Sequence, residues 1–199
     1  MAVITNLTTL QTAVEDYLAR SDLTTWVPNF VQNAEEKLLR RLRLRFMETA
    51  LSDTISSGVI SVPSDYLDLK HAYIDGTPIQ WLERTSPERI YRDHPLRQGD
   101  AKPRMIAREG ANFIFGPYPN STYTVQGIYW AKPTLLRDDG DGSNWFTTDA
   151  PDLLLYGSLL EAEPFIKNDP RIPVWRIMYE EAFKSVQDQE KRENVSGGI

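Results

Sequence analysis

Residues 144–165 read NWFTTDAPDLLLYGSLLEAEPF and predict a buried helix entered through an acidic, glycine-containing loop. An aromatic pair opens the stretch. Pro151 then follows Thr148 and Asp149, either of which can cap a helix whose first turn accepts proline. Between Leu153 and Ala162 apolar side chains occupy nearly all sides of this helix. All sides of this helix must therefore be buried, and we expect it in the middle of a helical bundle or against a neighbouring subunit.

The two ends of the chain supply further helical patterns. At the N-terminus, apolar residues recur at helical spacing over residues 8–20, with Thr8 and Gln11 placed as a capping box. A second stripe predicts a helix capped at Ser21-Asp22, with Pro28 in its first turn, that continues to about Arg45.

The last helix is predicted to open at Asp169-Pro170 and to end near residue 190. One face carries an apolar stripe that includes Trp175. Residues 190–199 have no apolar face, and we expect them to form a mobile tail. The helices from both chain ends can pack as one four-helix unit.

The middle of the chain changes to short apolar runs separated by turn residues, which is typical of β-structure. Ser86-Pro87-Glu88 has the order of a capped helix start and predicts a small helix at 87–93. Strands are predicted at 54–62, 68–74, 79–82, 104–107, 112–115 and 122–130. The predicted fold is α+β: a helical bundle from residues 1–51 and 134–199, with a mobile C-terminal tail, and a β-rich insertion lobe at 52–133.

The amino-acid composition limits the classes of protein to which this chain can belong. The 199 residues are 41% hydrophobic and 25% charged, which is ordinary for a globular protein. No run of about 18 apolar residues and no signal-peptide pattern occur, so we expect no membrane span, and synthesis in a cytoplasm. The formal net charge of -6 argues against a dedicated nucleic-acid binder, which needs a surplus of basic residues.

Few residues are available for catalysis or metal binding. The chain has no cysteine and two histidines, His71 and His94, with no partner at ligand spacing. Glu161 and Glu163 are two residues apart and point to different helix faces, which does not suit paired acid and base chemistry. We predict no catalytic, cofactor or metal site, and a small hydrolase using Asp and Glu residues is the weakest alternative.

The loop at residues 138–143 contains Asp138, Asp139, Asp141 and Ser143. Several oxygen ligands on a flexible turn suit a calcium ion. However, the glutamate and flanking helix of an EF-hand do not follow, and aspartate and glycine are also the residues that plain turns select. A plain acidic turn is favoured over a cation site.

Positive charge gathers at the end of the second helix, in Lys37, Arg40, Arg41, Arg43 and Arg45. One interpretation is a solvated face that complements the negative C-terminal end of the helix dipole. The other is a contact surface for an acidic protein, because no aromatic residues interleave with these arginines as nucleic-acid stacking requires.

The predicted strands are rich in aromatic residues. Such rings can bind carbohydrate, but in a small β lobe they more often fill the core or a subunit interface. A carbohydrate-binding or host-contact module built on this lobe is therefore the alternative function. The residues are Tyr73, Trp81, Phe113, Phe115, Tyr118, Tyr123, Tyr129 and Trp130.

Several blocks of the chain resemble the head-to-tail adaptor proteins of tailed bacteriophages, also called connector or gatekeeper proteins, as in short-tailed phages. The blocks run in the family's order over nearly the whole chain. They are ITNLTTLQTAV at 4–14, LARSDLT at 18–24, FVQNAE at 30–35, RLRLRFMET at 41–49, VPSDYL at 62–67 and the stretch at 145–165.

The resemblance implies a virion protein at the head-tail junction, made in the host cytoplasm, that forms a dodecameric ring below the portal and gives a channel for genome passage. The partners it implies are the portal protein, a downstream nozzle or tube protein of the tail, and packaged DNA that passes without sequence-specific binding, with no membrane. It transfers no catalytic residue and no cofactor. The candidate portal or subunit contacts are Lys37, Arg40, Arg41, Arg43, Arg45, Trp145, Phe146, Tyr156 and Trp175.

Overall fold

The computed structural model describes residues 3–55, 57–98, 101–166 and 169–196, with side chains described up to residue 192. The chain divides into two compact units. A helical unit comprises Met1–Phe46 and Pro133–Ile199, and a β unit comprises Met47–Lys132. The predicted α+β class, with helices at both ends and a β-rich region between them, is confirmed.

The helical unit is built around one central helix. Its helices are α1 (Leu7–Leu18), α2 (Val27–Arg41), α4 (Trp145–Asp149), α5 (Pro151–Glu161), α6 (Glu163–Ile166) and α7 (Ile172–Ser196), while α3 (Pro87–Asp93) belongs to the β unit. Helix α5 packs against α1, α2 and α7. Leu153, Leu154 and Leu159 are fully buried there, which confirms the predicted position in the middle of a bundle.

Gly157 lets its two neighbours approach α5 closely. A Cβ built at Gly157 would lie 3.4 Å from Ala34 of α2 and 3.4 Å from the ring of Tyr179 on α7. A methyl group would just reach van der Waals contact with both neighbours, and a larger side chain would need more room, so the small residue allows the close spacing of these helices. The apolar residues of α5 are then covered from three directions.

Both predicted N-terminal caps of the first two helices are wrong. In α1 the capping box uses Asn6 and Thr9, not Thr8 and Gln11, with the Thr9 amide donating to the Asn6 side chain at 2.9 Å. Helix α2 begins after Trp26, and Ser21-Asp22 lies in the preceding turns, where Asp22 pairs with Arg20 at 2.6 Å. Pro28 does lie in the first turn of α2.

The ends of the other helices also differ from prediction. Helix α2 stops at Arg41 because Leu42 adopts an extended backbone. Thr148 and Asp149 lie in α4 rather than capping α5, whose N-cap is Ala150. Helix α7 begins at Ile172 and continues to Ser196, beyond the predicted end near residue 190. Residues 197–199 of the predicted tail lie outside the described residues.

The β unit contains two four-stranded sheets. The first has the order β1-β8-β3-β4 and is antiparallel throughout, and the second has the order β2-β7-β6-β5, in which β5 and β6 are parallel. The strands are β1 (Glu48–Ile55), β2 (Val59–Ser61), β3 (Tyr66–Ile74), β4 (Gln80–Trp81), β5 (Glu83–Arg84), β6 (Met105–Glu109), β7 (Asn112–Gly116) and β8 (Tyr123–Ala131). Buried side chains from both sheets form one core, which includes Leu69, Ile74, Phe113, Phe115 and Val125.

Local turn chemistry explains where the strand predictions succeed and fail. The single strand predicted at 54–62 is two strands, because Gly58 has a φ of 73° that turns the chain between β1 and β2. The segment 79–82 is likewise shorter, with β4 limited to Gln80–Trp81. The helix predicted at 87–93 is confirmed as α3, capped by Ser86.

Arg171 ties the start of α7 to the end of α1. Its guanidinium donates to the Tyr17 carbonyl at 2.6 Å and to the Leu18 carbonyl at 3.3 Å, which are orphan acceptors at a helix C-terminus. Asp169 orients the same guanidinium at 2.6 Å. The hydrogen bonds from Arg171 lower the pKa of Asp169 from 3.8 to about 2.

We expect this link to make stability acid-sensitive. The pKa of the Asp169 carboxyl is lower in the folded chain than in the unfolded chain. The ionised carboxylate therefore stabilises the fold above about pH 4, and this stabilisation is lost as the pH falls from about 4 through about 2. Asp169→Asn should therefore unfold more readily than the wild type at about pH 7 and differ little from it at about pH 2. Thermal unfolding of both proteins, measured at several pH values between these two, checks this expectation. Asp188→Asn is the control, because the ion pair of Asp188 with Lys191 is long, at 3.6 Å, and lies on an exposed surface of α7. An equal gap between Asp169→Asn and the wild type at both pH values would contradict the expectation.

Candidate interaction surface

The basic cluster at the end of α2 does not act as one group. Lys37 forms an ion pair with Glu161 of α5, with Nζ at 2.5 Å and 2.8 Å from its two oxygens. Arg41 places its guanidinium 4.3 Å from the ring centre of Phe183 on α7, a cation-π contact. These two side chains therefore join α2 to the helices behind it.

Arg43 has a local role in ending α2. Its guanidinium donates to the carbonyl oxygens of Leu39 at 3.0 Å and Leu42 at 2.8 Å. These carbonyls lack partners within the helix, and a cation here also opposes the negative end of the helix dipole. Arg43 is thus a C-terminal cap.

Arg40 and Arg45 are the members of the cluster that face outward. The Arg40 side chain is 65% exposed, and its ion pair with Glu36 is 3.9 Å long. Arg45 is exposed, and its backbone amide donates to Glu190 at 3.1 Å. Among the described residues, the Arg45 guanidinium has no acceptor within hydrogen-bonding distance. The structure therefore leaves these two charges available to a partner.

A groove with aromatic walls lies beside Arg45. The ring of Phe46, which is 40% exposed, stacks on Trp145 with ring centres 4.9 Å apart and planes 11° from parallel. The cavity is about 260 Å³ and is completed by α7. Its lining residues are Leu44, Arg45, Phe46, Trp145, Val186, Gln189 and Glu190.

A buried glutamate holds the wall of this groove in place. Glu35 of α2 is 1% exposed, and its carboxylate accepts from the Leu136 amide at 3.0 Å and from the Asn144 side chain at 2.6 Å. Asn144 in turn caps α4, the helix that begins with Trp145. Sequence reasoning missed Glu35, since its partners lie 101 and 109 residues away.

Three predicted contact residues lie at different depths. Phe146 is 1% exposed and Trp175 is 4% exposed, so both side chains belong to the core of the helical unit. Tyr156 is half-buried and meets Tyr17 edge to face, with ring centres 6.3 Å apart. Burial, with Tyr17 close by, raises the pKa of its hydroxyl.

Helix α7 has a second apolar row. The stripe predicted from the sequence included Met178 with the buried side, but it did not include Val174 or Ile177. Val174 is 52% exposed, Ile177 is 56% exposed and Met178 is 41% exposed. Their spacing of three and four residues puts them on one side of the helix, while Trp175, Ala182 and Val186 are buried against the unit. An apolar row turned outward on a long helix suits burial by another protein.

The acidic loop is an ordered turn. The Asp139 carboxylate accepts from the Ser143 amide at 3.0 Å, and the Gly142 carbonyl accepts from the Leu7 amide at the start of α1 at 2.6 Å. Asp138 and Asp141 are exposed. Nowhere in the part of the chain that the structure describes do three His, Cys, Asp or Glu side chains group as metal ligands would.

The aromatic residues of the β unit divide between core and surface. Phe113, Phe115 and Tyr129 are buried in the core. Trp81 is 56% exposed and stands 5.6 Å from the ring centre of His71 and 5.4 Å from that of Tyr73. This small aromatic group on β3 and β4 is one exposed ring surface of the unit, and Tyr91 of α3 is another exposed ring at 40%.

Comparison with known proteins supplies the identity. No curated protein matches the chain. Within the described ranges, none of the helices is both long enough and apolar enough to span a membrane. One family model, described as SU10 adaptor protein, matches residues 5–198, nearly the whole length of the sequence. The chain therefore belongs to the SU10 adaptor protein family of bacteriophages.

Proposed function

We propose that this adaptor is a structural subunit of the virion that forms a ring below the portal, joins the DNA-filled head to the tail, and surrounds a channel for genome passage. The family match carries the general role of a phage head-tail adaptor. Twelve copies is the number that the resemblance to phage connectors implies. The proposed role is mechanical and requires no catalytic activity.

The outward row on α7 supports assembly. A ring uses heterologous contacts, in which one surface of a subunit meets a different surface of the next. Such contacts need apolar area beyond the core of each subunit. Val174, Ile177 and Met178 supply that area on a helix whose opposite side is already buried. The row is therefore our candidate for the contact between subunits or with the portal.

Charge is consistent with a conduit for DNA. The chain has 28 acidic and 22 basic residues, so a closed ring of it carries a large negative charge. A negative wall repels the phosphate backbone and lets DNA move without being held. We propose the portal above and a nozzle or tube protein of the tail below as the two protein partners.

Substitution on α7 tests this function. Ile177→Asp should leave the subunit folded, since the side chain is exposed, but should weaken ring formation or portal binding at least about tenfold, because a charge is then desolvated in the interface. Analytical ultracentrifugation and pull-down with the phage's own portal measure it. Ile79→Asp is the matched control in the β unit, where the isoleucine is 47% exposed. A wild-type chain that neither oligomerises nor binds the portal would overturn the proposal.

The exposed Trp81 favours one alternative, a host-contact module that binds carbohydrate on the β unit. An exposed tryptophan flanked by His71 and Tyr73 is a surface on which a sugar ring can stack. A glycan-array signal that Trp81→Ala abolishes would support this role. Absence of any signal with the assembled protein would remove it.

A further inference from the structure

We propose that a cleft in the β unit binds a glutamate or aspartate side chain of another protein, and that Arg108 of β6 holds its carboxylate. In that partner the acidic residue stands between apolar residues on an extended segment. The inference goes beyond the proposed ring, because it concerns the β unit alone and does not need the subunits to assemble.

The cleft opens where the chain crosses from the first sheet to the second. The Leu82 amide donates to the Ala72 carbonyl of β3 at 3.0 Å, whereas the next amide, that of Glu83, donates to the Arg104 carbonyl at the start of β6 at 2.8 Å. A cavity of about 190 Å³ lies at this crossing, lined by β3 on one side and by β5, β6 and β7 on the other. Pockets for drug-sized ligands begin at roughly 300 Å³, so this cavity suits a single side chain.

The cleft has apolar walls and a cationic mouth. Leu69 of β3, Ile106 of β6 and Phe113 of β7 belong to the core of the unit, and each is at most 2% exposed. Arg84 and Arg108 also line the cavity but are exposed. An apolar pocket with a few polar groups placed at its opening is the usual form of a binding site.

Arg84 is held in place by its own subunit. Its guanidinium donates to the Leu69 carbonyl at 2.6 Å and forms an ion pair with Asp68 at 2.6 Å. The charge of Arg84 is therefore neutralised within the β unit, and its side chain forms a fixed part of the cleft.

Arg108 keeps its charge and its binding capacity. Its Nε donates to the Gly110 carbonyl at 3.1 Å, and its guanidinium lies 5.1 Å from the ring centre of Tyr66, a cation-π contact that orients it. In the part of the chain that the structure describes, no carboxylate pairs with Arg108, and its two terminal nitrogens have no acceptor. A guanidinium presented in this way can bind one carboxylate through two parallel hydrogen bonds.

The charge around the cleft favours a single carboxylate over a nucleic-acid backbone. Since Arg84 is paired with Asp68, the net positive charge at the mouth is that of Arg108. Exposed carboxylates adjoin the two arginines in sequence, at Glu83 and Glu109. A chain of phosphates would be repelled by these acidic groups, whereas one carboxylate matches one guanidinium.

Strand β5 provides a free backbone edge beside the cleft. It is the outermost strand of the second sheet. The amides of Glu83 and Thr85 donate to carbonyls on the β6 side at 2.8 Å and 3.0 Å, so the backbone groups of Arg84 between them point away from β6. Such an edge can pair with an extended segment of another chain, which is why we infer that the partner is extended here.

This chain does not itself offer the segment that the cleft requires. In its sequence, Asp68 and Glu161 are the carboxylates that stand directly between two aliphatic residues other than proline. Asp68 pairs with Arg84 at 2.6 Å and Glu161 pairs with Lys37 at 2.5 Å, so both are used inside the subunit. The partner is therefore a different protein.

Peptide binding to the full-length chain tests the inference. The probe is an acetylated and amidated hexapeptide whose only charge is one glutamate between two isoleucines, and the control peptide has glutamine in its place. We expect the glutamate peptide to bind with a Kd of about 1 mM or tighter, and the glutamine peptide at least about tenfold more weakly. Saturation-transfer NMR, which observes the peptide, measures both affinities whether or not the chain assembles.

Substitution of Arg108 shows whether this residue holds the carboxylate. Arg108→Gln should weaken binding of the glutamate peptide at least about tenfold, while Arg108→Lys should retain part of it, because lysine keeps the charge but not the fork of donors. Arg92→Gln is the matched control, since Arg92 is an exposed arginine of the same unit that does not line the cleft. Because Arg108 is exposed, its variants should unfold at close to the wild-type temperature.

The possible outcomes distinguish this inference from the proposed ring. Equal binding of the two peptides, no binding of either, or unchanged binding to Arg108→Gln would overturn the inference and leave the ring untouched. An oligothymidylate that displaces the glutamate peptide at lower concentration than the glutamine peptide does would overturn it too, in favour of a phosphate site. If the peptide binds as expected but the chain neither oligomerises nor binds the portal, the proposed function fails and the cleft stands.

Discussion

Glu35→Ala is expected to destabilise the helical unit by about 2–6 kcal/mol, because two buried donors lose their acceptor and each unsatisfied donor costs about 1–3 kcal/mol. The change leaves the Leu136 amide and the Asn144 side chain without their acceptor inside the protein. Unsatisfied buried donors cost more than the net value of the bonds themselves. Denaturant unfolding followed by circular dichroism measures the loss in free energy of unfolding.

Two further variants make this expectation specific. Glu35→Gln keeps an oxygen acceptor and should lose about 1–3 kcal/mol. Glu36→Ala is the matched control one residue along α2, where the side chain bonds Gln32 at 3.0 Å on a half-buried surface, and it should change stability by about 0.5 kcal/mol or less. A loss below about 1 kcal/mol in Glu35→Ala would show that the network adds little.

Gly127→Ala is expected to disrupt the first sheet of the β unit. A Cβ at Gly127 of β8 would lie 2.3 Å from the His71 carbonyl oxygen and 2.9 Å from the Ala72 Cα, both in the backbone of the paired strand β3. Backbone in a hydrogen-bonded ladder cannot move aside without breaking its bonds. We expect a loss of about 3 kcal/mol or more, at the upper end of overpacking effects.

The rates of amide hydrogen exchange show which of the two units is destabilised. In Gly127→Ala, amides of β3 and β8 should exchange faster while those of α5 keep their protection. Gly140→Ala is the control, because a Cβ there meets nothing within 4 Å, and it should be close to neutral. Wild-type protection of β3 in the Gly127 variant would mean that the strands can separate to admit a methyl group.

Local signals in the sequence predicted the elements that depend on neighbours in the chain. Ser86-Pro87 predicted α3 correctly because a cap and a first-turn proline act within one turn of helix. The apolar composition of α5 predicted burial, because no outer helix can leave all its sides apolar. The start of α2 was misplaced because Asp22 pairs with Arg20 in a turn, an option open to any exposed aspartate.

Features that depend on distant residues escaped prediction. Glu35 reads as one more charge on an amphipathic helix, and its role appears only when residues 136 and 144 fold against it. The basic cluster was predicted as a unit, but the positions of Phe183, Glu161 and two backbone carbonyls divide it. The same holds for α7, where exposure of Ile177 depends on which side faces α5.

The pairing of β1 with β8 has a consequence for how the chain folds during synthesis. These are the first and last strands of the β unit, and Glu48 lies directly opposite Trp130. The ribosome releases α1 and α2 long before α5, which must pack on them. Once the β unit has folded, however, its two ends are one strand spacing apart, about 5 Å. When the β unit folds before α5 packs, the chain that must be closed between α2 and α5 becomes short instead of long. Helix α5 is then close to α1 and α2, which have already been synthesised.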